Sequence, residues 1–325
     1  MLPSRYPAVL LMACVFAVSP AWAAVSFTLK NSADSMVGAM EKISARHEDT
    51  LPDIARANGL GFREIKLANP GVDTWLPGQG TEIMLPTRYV LPGTPRVGIV
   101  LNIPEMRLYY YPPQHTGQAP EVITHPIGVG RQGWATPYLD TRIIQKKTRP
   151  SWYPPESIRK EHAEMGDPLP KRVPPGPKNP LGNYMMRLGM PEYIIHGTNK
   201  PFGIGMRVSH GCIRLYPEDI KSLYQQVTLN TPVRIVNQPY KVGRLEDKIY
   251  LEAHPYLEED TEQFEGSLTS VVEMLIDITG ERGYQVDWEL VKTVIAESNG
   301  IPVEIGMVIA EEPEGPEKQE IVSAQ

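Results

Sequence analysis

The sequence predicts a mainly β protein: a central β domain with one short helix, a small α+β unit ahead of it and a helical extension behind it. Three patterns carry that expectation. Between Arg96 and Val236 the chain breaks into short runs rich in β-branched and aromatic residues: VGIVLNI, MRLYYY, EVITHPIGVG, TRIIQKK, YMMRL, YIIHG and VRIVN. Such runs suit a pleated, half-buried surface. Before them, two extended runs frame apolar residues at helical spacing, and after them two apolar stripes recur at i, i+3, i+4 and i+7. With 325 residues and 41% hydrophobic content, the chain has material for two or three cores at ~100–200 residues each.

Residues 1–23 read as a secretory signal. Arg5 supplies the positive end, Ala8 to Val18 is apolar, and Ala21-Trp22-Ala23 offers a small-residue cleavage site. A lipoprotein reading of Leu11-Met12-Ala13-Cys14 fits less well, because Cys14 stands in the middle of the apolar run. That run is shorter than the roughly 20 apolar residues of a membrane-spanning helix, and no later stretch approaches that length, so no membrane span is expected. The formal charge of -6 and the absence of basic runs argue against nucleic acid as a partner.

Residues 40–88 predict strand, helix, helix, strand. Asp49-Thr50 stands where a helix cap belongs, Leu51, Ile54 and Ala55 share a helical face, Ile65 and Leu67 mark a second helix, and Gly59 and Gly71 stop the two. Within the central domain, 96–236, the proline-laden stretch from Arg149 to Leu181 exceeds the roughly 12–15 residues of ordinary connections. With Trp152 and Tyr153 in it, it is expected to form a lid or substrate wall. One helix is clear in YPEDIKSLYQQV: Pro217 opens it, Glu218 and Asp219 meet its positive end, and Ile220, Leu223, Tyr224 and Val227 line one face.

The remainder, 237–304, is expected to be an extension with two core-facing helices. Their stripes are Leu268, Val271, Val272 and Leu275, then Trp288, Val291, Val294 and Ile295. Residues 305–325 are acidic and proline-containing, and are expected to be a disordered tail.

Chemistry concentrates in VSHGCIRL, Val208 to Leu215. Cleavage after Ala23 discards Cys14 and leaves Cys212 without a disulfide partner, so in an oxidising compartment it is a packed core residue, an intermolecular partner or a reactive thiol. Two histidines could take its proton: His210, two residues earlier, and His196, which ends an expected strand. Gly211 would allow a tight turn that aims amide N–H groups at a developing oxyanion. No C-x-x-C or H-x-x-x-H pair accompanies Cys212, so neither a metal nor another cofactor is expected. His47, His115, His125, His162 and His254 lack partner patterns and are expected to be surface or packing residues.

Two resemblances follow from these motifs. EDTLPDIARANGL, LANPGVDTWLPGQG and IMLP resemble a LysM domain, with Glu48 where glycine is common, and that resemblance implies binding to glycan containing N-acetylglucosamine. IIHGT followed by SHGCIRL, together with GVGRQGWATP and PPGPKNPLG, resembles the YkuD family of L,D-transpeptidases over Arg96 to Val236. This implies a β-sandwich with a short helix. It also implies that Cys212 is the nucleophile, that His196 activates it, and that the Gly197 carbonyl orients the imidazole. Ser209, His210 and Gly211 would belong to the active-site loop, with Arg214 near a substrate carboxylate; the 12-residue spacer between His196 and Ser209 is shorter than in many members. The implied partners are peptidoglycan tetrapeptide stems and glycan, with the C-terminal lysine of an outer-membrane lipoprotein as one acceptor, and the implied location is the periplasm. A carboxypeptidase and a non-catalytic wall-binding protein are the alternatives.

Overall fold

Nine strands form one mixed sheet, and a smaller unit is fastened to it on either side. The computed structural model describes residues 25–29, 35–280 and 283–309. The expected signal, 1–23, and residues 310–325 of the expected tail lie outside the described residues.

The first elements are β1 (Val25–Thr28), β2 (Met36–Gly38), β3 (Glu41–Ser44), α1 (Leu51–Ala57), α2 (Phe62–Ala68), β4 (Glu82–Leu85) and β5 (Arg88–Val90). β2 pairs with β5 and β3 with β4, both antiparallel, around the two helices. The Thr50 hydroxyl caps α1 by accepting from the Asp53 N–H at 3.2 Å, and Gly59, at φ +64°, follows its C-terminal cap. β2 begins ahead of residue 40 because pairing with β5, rather than any periodicity of its own, makes it a strand. β1 lies outside this unit and extends the central sheet beside β8 (Glu121–Pro126).

The central domain contains β6 (Gly98–Asn102), β7 (Arg107–Tyr111), β8, β9 (Val129–Gly130), β10 (Leu139–Thr148), α3 (Glu156–Glu164), β11 (Tyr184–Leu188), β12 (Ile194–His196), β13 (Arg207–Ser209), β14 (Ile213–Arg214), α4 (Pro217–Gln226) and β15 (Pro232–Val236). The main sheet runs β1-β8-β7-β6-β15-β10-β11-β12-β14. Just after β8, Gly128 exchanges two 2.9 Å backbone hydrogen bonds with Arg214 on β14, so the sheet closes around its core. β6 and β7 are buried on both faces, which is why Ile99 to Leu101 and Leu108 to Tyr111 read as unbroken apolar or aromatic runs. Ile99, Leu101 and Leu108 join Met186, Ile195 and Leu223 on one side, while Val100, Tyr109 and Tyr111 meet Leu51, Ile54 and Ile65 on the other.

The proline-rich connection is more ordered than a bare wall. It contains α3, seated through buried Ile158, and paired hydrogen bonds between Trp152 and Val173 at 2.9 and 2.8 Å close its base. Asn179, fully buried, ties it further by donating to the Pro150 carbonyl at 2.8 Å.

The C-terminal unit corrects the expected helical extension. Its elements are β16 (Tyr240–Leu245), β17 (Lys248–Ala253), α5 (Thr261–Phe264), α6 (Thr269–Thr279), β18 (Tyr284–Val286), α7 (Trp288–Glu297) and β19 (Val303–Val308). The strands form a sheet in the order β16-β17-β19-β18, against which α6 and α7 pack. The tail boundary at 305 is also corrected: Ile305 and Val308 lie on β19 and are buried, because their side chains complete this core.

Buried ion pairs fasten the units together. Arg107 on β7 holds Glu64 on α2 through contacts of 2.6 and 2.8 Å. Lys241 on β16 lies 2.9 Å from Glu105 and 2.8 Å from Glu252, and Glu252 also meets His254 at 2.6 Å. His254, expected at the surface or in packing, is thus buried, beside Glu252. Its carboxylates could serve a metal, but the Lys241 ammonium already sits between them.

Candidate active site

β12 and β14 run parallel, with Ile195 opposite Ile213 and His196 opposite Arg214. Ile195 and Ile213 point into the core. Side-chain alternation therefore turns His196, Arg214 and Cys212, two residues before Arg214, toward the opposite face. Strand pairing thus brings together a histidine and a cysteine 16 residues apart in sequence.

His196 is 2% exposed, and its Nδ1 lies 2.5 Å from the Gly197 carbonyl oxygen. A carbonyl only accepts, so Nδ1 carries the proton and Nε2 is left as the acceptor of the neutral ring. Burial, reinforced by the Arg214 charge, pushes the His196 pKa down to about 3, although the carbonyls of Gly197 and Leu181 favour protonation. The ring is therefore a neutral base near pH 7. Gly197 suits this tight site: a Cβ there would come within 3.1 Å of Ile220 Cγ2 on α4.

Cys212 is a free, half-buried thiol whose Sγ lies 3.8 Å from the Glu192 carbonyl oxygen. Burial pushes its pKa up, opposed by the Ile194 N–H and the Arg214 charge. A thiol so raised rests uncharged near pH 7. The Arg214 Nε is buried and has no hydrogen-bond partner among the described residues, while burial lowers the guanidinium pKa. Cys212 therefore has a cation beside it that is not fully engaged.

The loop around the thiol is held by its own short contacts. Ser209 is fully buried, and its hydroxyl donates to the Cys212 carbonyl at 2.6 Å. Gly211 stands at φ +93°, a conformation that favours glycine, and its carbonyl accepts from Thr136 Oγ1 at 3.1 Å. Among the described residues no hydrogen bond uses the N–H of Gly211 or Cys212.

His210, the other candidate base, is engaged elsewhere. Its Nε2 lies 2.9 Å from Glu161 on α3 and 3.0 Å from Arg131 Nη2, and its ring meets Trp134 edge-on at 4.9 Å. Trp152 lies in the bridge to Val173, and Tyr153 is 64% exposed. No described contact joins either to Cys212 or His196. A cleft of about 1080 Å³ bordered by Leu91, Tyr111 and Arg244 contains none of the expected site residues, so size alone does not locate the chemistry.

Sequence reasoning missed Glu161, Arg131 and the Leu181 carbonyl. Glu161 is one acid among several on a polar helix, and a backbone carbonyl leaves no trace in residue type. Only the length of the proline-rich segment hinted that it takes part in the site.

Comparison with known proteins gives the chain a family. A profile of the YkuD family, described as the L,D-transpeptidase catalytic domain, matches residues 96–235. The chain is 39% identical over 292 residues to the probable L,D-transpeptidase YbiS of Escherichia coli K12, covering 87% of this chain and 92% of that protein. It is 37% identical over 287 residues to the probable L,D-transpeptidase ErfK/SrfK of the same strain, covering 87% and 91%. Among solved structures, the catalytic domain of an E. faecium L,D-transpeptidase has a TM-score of 0.33 and 21% identity, covering 45% of this chain and all of that domain. On the strength of the family profile and of relatives matched over most of their length, this chain belongs to the YkuD family of L,D-transpeptidases.

Proposed function

We propose that the protein is a peptidoglycan L,D-transpeptidase that uses Cys212 as nucleophile and His196 as base. The observation that supports this most strongly is the neutral, buried His196, with Nδ1 tied to Gly197 and Nε2 left as acceptor, on the strand beside Cys212. In the first step the Cys212 proton passes to His196 Nε2, and sulfur attacks the carbonyl of the third residue of a tetrapeptide stem. The N–H groups of Gly211 and Cys212 stabilise the tetrahedral oxyanion, each worth about 3–4 kcal/mol in comparable sites. Collapse breaks the amide, the imidazolium protonates the departing D-alanine amine, and a thioester remains. An acceptor amine then gives its proton to His196 and attacks the thioester, which forms the new amide and frees the thiol.

Arg214, with its buried Nε unengaged, would meet a substrate carboxylate. Trp152 and Tyr153 would line the donor side. The unit at 40–88 would hold glycan, as its LysM resemblance implies. The signal-like segment at 1–23 supports action in the periplasm.

The test is incubation of the protein with tetrapeptide muropeptide, with and without a peptide ending in lysine, and mass analysis of the products. Loss of D-alanine with a joined product supports transpeptidation, and the partner in that product identifies the acceptor as stem or lipoprotein. Loss without joining favours a carboxypeptidase. No loss, with the thiol reduced, favours a non-catalytic wall-binding protein.

A further inference from the structure

Where the three units meet, a cleft of about 810 Å³ opens. Its walls include Phe62, Arg63 and Lys66 on α2, Met206 and Arg207 at the start of β13, and Glu297 at the end of α7. Most of these groups are already answered. Arg207 is held by Glu259 at 2.6 and 3.1 Å, Lys66 lies 5.7 Å over the Phe62 ring, and Glu297 accepts from Asn299 at 3.3 Å.

Arg63 is the exception. It is half-buried, and no hydrogen bond or ion pair among the described residues engages its guanidinium. Its backbone N–H donates to the Gly205 carbonyl at 3.3 Å, which anchors the residue at the lip of the cleft. Burial and the neighbouring Arg207 charge both push its pKa down. A partly desolvated cation beside a like charge is costly without an anion to meet it.

The surroundings suit an oxyanion carried on a partly apolar ligand, and a stem peptide of the function proposed above carries carboxylates. Phe62 and Met206 offer apolar contact, guanidinium matches a carboxylate with two parallel donors, and Glu297 is the one acid among the cleft-lining residues named above. From Arg207, which lines the cleft, to Cys212 the chain advances five residues, so their Cα atoms are at most about 17 Å apart. A stem of four residues, extending about 13 Å before its side chains are counted, covers much of that span.

We propose that this cleft binds a carboxylate of the peptidoglycan stem peptide, with Arg63 as the anchoring cation. The identity of the ligand rests on the function proposed above; the existence of the site does not depend on Cys212 being the nucleophile.

The test uses the full chain carrying Cys212→Ala and a fluorescent stem tetrapeptide, with a second probe in which every free carboxylate of the stem is amidated. Anisotropy should show tighter binding of the acid form, and Arg63→Gln should weaken that binding about tenfold while leaving the amide probe unchanged. Arg63→Lys, which keeps the charge, should restore part of the loss, and circular dichroism checks that each variant is folded. Equal binding of the two probes, an equal effect of Arg63→Gln on both, or no binding of either would overturn the proposal. Acid-selective, Arg63-dependent binding by a chain whose unmutated form releases no D-alanine would uphold the cleft and overturn the catalytic reading instead.

Discussion

Glu161 on α3 meets His210 in the loop between β13 and β14, with Glu161 Oε2 lying 2.9 Å from His210 Nε2. Arg131 reaches the same carboxylate, so a helix from the proline-rich connection is latched to the residue two before the thiol. The other end of that connection supplies the Leu181 carbonyl to His196. The segment therefore touches both His210 and His196. Glu161→Ala should lower kcat by about tenfold, within the cost of losing a charged hydrogen bond, while raising hydrogen exchange at 209–212. Glu161→Gln, which can still accept from the ring, should retain more activity. Unchanged exchange in Glu161→Ala would mean that the latch does not order the loop.

The pH dependence follows from His196. Its pKa of about 3 keeps the ring neutral from pH 5 to 8, so the free enzyme should show no histidine limb near 6.5 in kcat/KM. The thiol is pushed up, and activity should climb as rising pH favours its deprotonation. A bell whose acid side is centred near 6.5 would show that another group, or a protonated His196, governs the reaction. His196→Ala should cost about 10²–10⁴-fold in rate, the usual contribution of a positioned acid–base.

Gly211→Ala tests the loop geometry. At φ +93° an L side chain is strained by about 1–3 kcal/mol, and the new Cβ would sit 3.0 Å from Tyr193 Cε1. The expected result is a lower melting temperature together with a fall in kcat. Full activity in Gly211→Ala would show that the loop tolerates a different turn.

Lys241→Met removes the cation between Glu105 and Glu252, both fully buried, and should cost about 3–5 kcal/mol in urea unfolding. Despite burial, Lys241 holds the Glu105 carboxyl below its usual range. A depressed carboxylate contributes stability that is complete above its unfolded pKa and is lost as pH falls through the folded value. Glu105→Gln should therefore flatten the decline of stability in acid. An unchanged acid slope would assign that decline to other groups.

Much of this fold was legible because its strands advertise themselves. β6 and β7 carry the runs Ile99 to Leu101 and Leu108 to Tyr111 because both faces are covered, and α4 carries a proline start and a single apolar stripe. β16 to β19 were hidden between two strong helical stripes, which dominate any reading by period. At the site, SHGC and the strand-ending His196 stood out by residue type. The partners that tune them did not, since the Leu181 carbonyl, the Glu161 latch and the Arg63 cleft depend on long-range closure. His254 shows the same limit: nothing near it in sequence except Glu252, two residues away, announces the network that buries it.

The proposed mechanism requires Cys212 to carry the acyl group. The most direct measurement is intact mass of the protein after brief exposure to tetrapeptide muropeptide without an acceptor, followed by peptide mapping. The account predicts an added tripeptide-stem acyl group on Cys212, released by hydroxylamine as a thioester should be, and absent from Cys212→Ala. Turnover by Cys212→Ala, or an adduct on any other residue, would contradict it.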